Sequence, residues 1–183
     1  TIHQQMNQWW SANAEEGRAS LLFAYSLGKA QRVLAGLNHE VGPIYVHSAV
    51  YPFLEHYEKA GAQLPPVAKI ERGQEYDFGQ AIIVAPPAVE DSTWTRKFRS
   101  ARKAFASGWM AVRGARRRRN LDRGFILSDH ADWDGLLTVI KGTEAEEIKV
   151  THGNGDALTR YLLEQGYNCS VLEGAKIRGE EEE

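Results

Sequence analysis

The sequence predicts an α/β protein with a Rossmann-like parallel β-sheet that is covered by helices on both faces. Two observations predict this class. Short, almost wholly apolar runs recur along the chain, and such runs are typical of strands buried on both faces. They alternate with segments whose apolar residues recur at helical spacing, which indicates strand–helix units.

The elements of the first half follow from this periodicity. Apolar residues recur at helical spacing over residues 1–10 and again over 27–37, and Gly17 stops the first of these helices. In order, we expect a helix (1–10), a strand (20–24), a helix (27–37), a strand (43–46) and a helix that Ser48 caps and that ends near Gly61.

The second half begins with a predicted loop over residues 62–80, because this segment contains prolines and glycines. A strand over 81–85 is stopped by two prolines, and Ser92 caps a short helix. The remaining elements are an extended segment (105–110), a strand (125–128), a helix (133–140), a strand (147–151) and a helix (154–164) capped by Gly166.

Basic residues are concentrated in one stretch of an otherwise acidic chain. Residues 94–123 contain eleven of the 22 Lys and Arg residues and one acid, whereas the whole chain has a net charge of -2. Such a basic belt favours an anionic polymer, DNA or RNA, as a partner. Four aromatic residues of the belt could stack on the bases of a single strand, but we favour packing in the core: Trp94, Phe98, Phe105 and Trp109.

Cys169 is the only cysteine, so the chain can form no internal disulfide and no thiolate zinc cluster. This usage favours a reducing, cytoplasmic setting. No apolar run approaches the ~20 residues that span a bilayer, and no secretion signal is visible, so we expect no membrane association. The chain begins at Thr1 rather than Met, which suggests a piece of a longer protein.

Two histidines occupy equivalent places, because His130 and His152 each follow a predicted strand and precede a predicted helix. If the two strands are parallel neighbours, both rings lie on one edge of the sheet, near helix N-termini that attract phosphate. Imidazole is also the commonest zinc ligand, and Asp129 or Asp132 could orient it. Alternatively, the two aspartates only cap a helix, and His47, after another strand, is a weaker candidate.

Several cations are candidate phosphate contacts. Lys29 begins a helix beyond the end of a strand, but Ser26–Lys29 lacks the spacing of a Walker loop. The other candidates form an arginine run: Arg113, Arg116, Arg117, Arg118 and Arg119. A solvated linker or a nuclear localisation signal is the alternative interpretation of this run.

Four segments carry a family resemblance, namely residues 20–37, 42–61, 104–137 with the motif S-x-H-x-D, and 148–162 with V-x-H-G. They resemble the β-CASP branch of the metallo-β-lactamase-fold nucleases, most closely the bacterial ligase-associated exonucleases, which are also labelled mRNA 3′-end processing factors. The resemblance implies a β-CASP domain over 1–123 and the C-terminal part of a metallo-β-lactamase αββα domain over 124–178. The composition of the acidic tail over 179–183 predicts disorder, because the tail has nothing to bury.

The resemblance also implies roles for three residues. His130 matches the histidine that protonates the leaving oxygen at the scissile phosphate, and Asp132 matches the acid of the same motif. His152 matches a ligand of one of two zinc ions. The remaining zinc-binding motif of the family, H-x-H-x-D-H, does not occur in these 183 residues.

The resemblance therefore implies that the full-length protein is a zinc-dependent nuclease acting on DNA or RNA, with an ATP-dependent DNA ligase and a helicase as possible partners. This part alone is expected to be inactive and to bind no zinc tightly. One alternative is a non-catalytic α/β module that binds nucleic acid or docks onto a ligase or helicase. A weaker one is nucleotide binding, which the lack of G-x-G-x-x-G disfavours.

Overall fold

The computed structural model describes residues 1–71, 73–112, 120–151 and 155–172. The chain divides into two compact units, Thr1–Asp129 and His130–Glu183. The first unit contains a six-stranded parallel sheet flanked by helices, which confirms the predicted α/β class. Within the described parts of the chain, no helix combines the length and the apolar character needed to cross a membrane.

The secondary-structure elements of the described residues have the following bounds. The helices are α1 (Ile2–Glu15), α2 (Lys29–Leu34), α3 (Leu54–Lys59), α4 (Trp133–Thr143) and α5 (Gly155–Glu164). The strands are β1 (Ser20–Phe23), β2 (Ile44–Val46), β3 (Ala68–Lys69), β4 (Ile82–Ala85), β5 (Arg102–Ala106), β6 (Arg123–Phe125), β7 (Ile148–Val150) and β8 (Cys169–Val171). Short 3-10 turns cover Tyr51–Phe53, Pro87–Val89, Thr93–Phe98 and Gly108–Ala111.

The sheet of the first unit has the strand order β3-β2-β4-β1-β5-β6. In the central strand β1, Leu22 lies opposite Val84 of β4 on one side and Ala104 of β5 on the other. Because β1 and β4 have neighbours on both edges and cover on both faces, every residue of these two strands is buried. This double burial explains why their sequences, apart from Ser20, are apolar without alternation.

Consecutive residues of a strand point to opposite faces, so the sheet supports two hydrophobic clusters. On one face, Leu22 packs in a cluster with Trp10 of α1 and Val33 of α2. The indole N–H of Trp10 also donates to the carbonyl oxygen of Gln80 at 2.9 Å, which ties α1 to the segment before β4. On the other face, Leu21 belongs to a cluster that is covered by the 3-10 turn Thr93–Phe98.

Two predicted boundaries of the first unit are wrong for local reasons. Ser48 does not cap a helix, because a turn in which the Val50 N–H donates to the His47 carbonyl follows β2, and α3 begins only at Leu54. The extended segment predicted over 105–110 ends at Ala106, because the Ser107 hydroxyl accepts from the Trp109 N–H and starts a 3-10 turn. β3, inside the predicted loop, is an element that the sequence does not predict.

The second unit contains α4, β7, α5 and β8, with β7 and β8 paired in parallel. Ile148 lies opposite Cys169, which is buried, and Trp133 meets Tyr161 edge to face at 5.2 Å between ring centroids. The predicted helices 133–140 and 154–164 and the predicted strand 147–151 are confirmed. β8 is not predicted by the sequence.

The predicted domain boundary lies after residue 123, whereas the observed division lies after Asp129. The difference has a simple cause: β6 begins at Arg123 and pairs with β5, so Phe125 lies opposite Ala106 as part of the first sheet. The strand predicted over 125–128 therefore begins two residues earlier and belongs to the first unit.

Candidate functional site

The carboxyl edge of the six-stranded sheet is the candidate site, because open parallel sheets bind ligands beyond the carboxyl ends of their strands. Here the segments that follow β1 and β6 come into contact. The ammonium of Lys29 lies 2.9 Å from a carboxylate oxygen of Asp129. One turn further along α2, the guanidinium of Arg32 donates to the carbonyl oxygen of Ser128 at 2.7 Å. Two consecutive residues after β6 are thus bound by two cations of α2.

A tight connection after β1 places Lys29 at this edge. Gly28 has a φ of 79°, a conformation that side chains with a Cβ disfavour. A Cβ at this position would also lie 3.3 Å from the Asp129 carboxylate, so glycine suits the site for a second reason. Lys29 follows as the first residue of α2, and its ammonium lies 4.9 Å from the centre of the Tyr25 ring.

The Lys29–Asp129 ion pair is asymmetric in its exposure. The side chain of Lys29 is 5% exposed, whereas that of Asp129 is 36% exposed. A buried charge needs a partner, because the surrounding protein solvates it far less well than water does. Asp129 therefore supplies the counter-charge that a buried ammonium requires, and the predicted contact of Lys29 with a phosphate stays a prediction.

The aromatic residues of the basic belt divide into two groups. Phe98 and Phe105 are each 2% exposed, and Trp94 packs edge to face on Phe98, so the core interpretation is confirmed for these three. Trp109 is different, because it is 67% exposed in the 3-10 turn after β5. Its neighbour Gly108 approaches Ser128 so closely that an added Cβ would lie 3.3 Å from the serine Cβ. An accessible indole therefore lies on the turn that contacts Ser128.

His47 follows β2, as predicted, and its contacts indicate a structural role. Its Nδ1 accepts from the backbone N–H of Ala49 at 3.0 Å, and its ring meets Trp94 edge to face at 4.7 Å. Burial, and to a lesser extent the positive charge of Lys97, lower the pKa of His47. Burial also lowers the pKa of Lys97. These contacts favour a neutral imidazole that packs against the aromatic cluster.

In the second unit, Asp132 caps a helix, which is the alternative that the sequence analysis gives to a role beside the histidine. Its carboxylate caps α4 by accepting from the backbone N–H of Gly135 at 2.8 Å. His130, two residues earlier, is exposed. The capping interpretation is confirmed for Asp132, and its part in catalysis stays a prediction.

Replacing Asp132 by alanine removes this cap, so we expect the free energy of unfolding of the second unit to fall by about 0.5–2 kcal/mol. Asp132→Asn keeps an oxygen that can accept from Gly135, and its stability is expected to stay close to that of the unmodified chain. Thermal unfolding of the three proteins measures both effects. Equal losses in the two variants would contradict the capping role and point to the charge instead.

The remaining predicted site residues lie outside the described residues: His152, Arg113, Arg116, Arg117, Arg118 and Arg119. The sequence makes a shared edge for the two histidines conditional on parallel neighbouring strands. In the described residues this condition is not met, because β6 pairs with β5 at one edge of the six-stranded sheet, whereas β7 pairs with β8. Convergence of His130 and His152 on one rim stays a prediction.

The zinc ions implied by the family resemblance can be tested against the donor atoms of the chain. Among residues 1–71, 73–112, 120–151 and 155–172, no three His, Cys, Asp or Glu side chains form a group that could hold a metal ion. Asp129 is engaged by Lys29, and Asp132 caps a helix. The described residues therefore do not by themselves fit a zinc pair.

Two features of the site are not predicted by the sequence. Arg32 lies three residues after Lys29, so the two cations share a face of α2. This spacing is visible in the sequence and indicates that both cations lie at the same site. The pairing of Lys29 with Asp129 has no such signal, because the two residues are 100 positions apart in the sequence. Only the order of the strands brings them together.

Comparison with known proteins shows a relative that matches most of this chain. The chain is 30% identical over 162 residues to a protein named "Probable DNA ligase" from Opitutus terrae (strain DSM 11246 / JCM 15787 / PB90-1). The match covers 87% of this chain but 15% of that protein, so the chain spans a small part of the relative's length. No protein-family model matches the chain.

Proposed function

We propose that this chain is part of a larger DNA-processing enzyme with nuclease activity, in which His130 protonates the leaving oxygen of a phosphodiester. The observation that carries the proposal is the S-x-H-x-D segment, which begins at Ser128, beyond the carboxyl end of a strand in a parallel sheet. This is the place where such sheets keep their functional residues. The name of the relative, a probable DNA ligase, supports DNA rather than RNA as the substrate.

Proton donation is the step that this chain can supply. Cleavage of a phosphodiester leaves an alkoxide, which is a poor leaving group unless it receives a proton as the bond breaks. An imidazole held in reach of that oxygen contributes typically about 10²–10⁴-fold to such a reaction. His130 is exposed and therefore accessible to a substrate. The metal ions implied by the family resemblance would require donor atoms beyond the described residues.

The first unit, taken by itself, offers contacts for a nucleic acid. Trp109 presents its indole to solvent after β5, and a planar ring of this kind can stack on an unpaired base. The arginine run that begins at Arg113 follows Trp109 by four residues in the sequence. Together these residues provide a stacking surface and positive charge for a single-stranded end.

The decisive experiment is a cleavage assay with the complete protein that contains this chain. It compares DNA and RNA, each with free and with blocked ends, in the presence of zinc or manganese. We expect cleavage of DNA that depends on a free end. Binding of DNA without cleavage under all these conditions would contradict the proposed nuclease activity and favour a non-catalytic module that binds nucleic acid.

Replacing Trp109 by alanine should weaken the binding of single-stranded DNA. Stacking of one base on an aromatic side chain contributes about 1–3 kcal/mol, so we expect the dissociation constant to rise about 5- to 150-fold. Trp109→Phe keeps a ring and should lose much less. Fluorescence anisotropy with a labelled oligonucleotide measures the change.

Leu27→Ala is the matched control for this prediction. Leu27 is also exposed and apolar, and it lies in the connection after β1 at the same edge, but it has no ring. Its replacement should leave the affinity for the oligonucleotide unchanged. Equal losses in the Leu27 and Trp109 variants would mean that apolar contact, rather than stacking on a base, explains the binding.

A further inference from the structure

The two residues before His130, Ser128 and Asp129, are contacted by helix α2 and by the turn after β5. Lys29 pairs with the side chain of Asp129 at 2.9 Å, and Arg32 donates to the backbone carbonyl of Ser128 at 2.7 Å. Gly28 and Gly108 lie next to the same two residues, because a Cβ added at Gly28 would come within 3.3 Å of the Asp129 carboxylate and one added at Gly108 within 3.3 Å of the Ser128 Cβ. The backbone that leads into His130 is therefore bound through a side chain, through a carbonyl oxygen and by close packing.

We infer that Lys29 and Arg32 are positioning residues, which fix the Ser128–Asp129 segment and thereby the point from which His130 extends. This inference rests on the proposed function, in which His130 donates a proton. A proton donor must keep its ring within hydrogen-bonding reach of one oxygen, and small displacements of such a group reduce the rate steeply. Neither cation needs to touch the substrate to have this effect.

The burial of Lys29 separates this role from the phosphate contact that the sequence predicts. An ammonium whose side chain is 5% exposed cannot approach a phosphate unless α2 or its surroundings move. Its charge is already balanced by Asp129, and the Tyr25 ring lies close to it. The geometry therefore makes Lys29 an internal counter-ion, which is expected to influence turnover rather than substrate affinity.

Arg32 supports the same segment independently of the ion pair. Its guanidinium binds a backbone carbonyl, so its contact does not depend on the identity of the side chain at position 128. Because the residue is exposed, its replacement should leave the fold intact. Arg32→Met thus offers a second variant that tests the inference even if a Lys29 variant fails to fold.

The test uses the complete protein with the variants Lys29→Met, Asp129→Asn, the double variant of both, and Arg32→Met. We expect kcat for DNA cleavage to fall about 10- to 100-fold in either ion-pair variant, with KM unchanged. The double variant should be no worse than the poorer single variant, because the two side chains act as one unit. Arg32→Met should show a smaller fall in kcat, again without a change in KM.

Lys59→Met is the matched control. Lys59 also forms an ion pair on a helix of the first unit, with Glu55, but both side chains are 70% exposed. Its replacement should leave kcat and KM unchanged. A Lys29 variant that raises KM and keeps kcat would overturn the inference and establish a substrate contact, and unchanged kinetics in all four variants would overturn it as well.

Hydrogen exchange separates failure of this inference from failure of the proposed function. Amides of residues 128–132 should exchange faster in the Lys29, Asp129 and Arg32 variants than in the unmodified protein or in Lys59→Met. If the complete protein cleaves no DNA, the proposed function fails while exchange still reports whether the segment is held. If exchange over 128–132 is the same in every variant, the positioning role fails even if the protein is a nuclease.

Discussion

Replacing His130 by alanine is expected to lower the turnover of the complete protein on DNA by about 10²–10⁴-fold, the usual contribution of a positioned proton donor. The affinity for DNA should change little, because the imidazole acts on an oxygen that becomes strongly basic only as the bond breaks. Single-turnover cleavage, measured with enzyme in excess over DNA, reports this step without interference from product release. Since His130 is exposed, the variant should fold normally.

His152→Ala is the informative comparison, because the family resemblance gives the two histidines different tasks. Loss of His130 should leave the zinc content of the complete protein unchanged, whereas loss of His152 should lower both zinc content and turnover. Metal analysis of the two purified variants measures the difference. Equal zinc loss in both would contradict the assignment of His130 as a proton donor.

Replacing Trp10 by alanine is expected to have the largest effect on stability. The side chain is fully buried between α1 and the sheet, and its N–H donates to the Gln80 carbonyl oxygen. Replacing a buried tryptophan by alanine leaves a cavity and typically costs about 3–5 kcal/mol. Here the change also leaves a carbonyl without its donor. Urea denaturation followed by circular dichroism measures the lost free energy of unfolding.

Trp109→Ala is the control for this effect, since it removes the same side chain from a position that is 67% exposed. Surface substitutions of this kind usually change stability by no more than about 0.5 kcal/mol. Trp109→Ala should therefore unfold at nearly the same urea concentration as the unmodified chain. Similar losses in the two variants would show that burial in the core does not explain the contribution of Trp10.

Strands that are buried on both faces appear in the sequence as short apolar runs, and these runs predict most of the first sheet. A strand covered on both faces must be apolar at nearly every position, and β1 and β4 are buried throughout. β3 and β8 do not appear as such apolar runs. β3 has only two residues, and both β3 and β8 have exposed or half-buried positions. Short, partly exposed strands owe their existence to pairing with a neighbour, which the sequence does not display.

The candidate site was only partly predictable, for the same reason. The position of Asp132 between a strand and a helix indicates a cap, and the cap is formed within four residues. In contrast, Phe98 and Trp109 have the same aromatic character in the same basic belt, yet one is buried and the other is exposed. The composition of the belt cannot distinguish them, because burial depends on what the rest of the chain places above each ring.

By itself the sequence determined the α/β class, the apolar strands at the centre of the sheet and the helices beside them, because these depend on residues close together in the chain. The tertiary structure alone decided that β6 joins the first sheet and that Lys29 meets Asp129. Both outcomes follow from strand order, which brings distant residues to one edge. A buried lysine then needs a counter-charge, and the strand order determines which carboxylate can supply it.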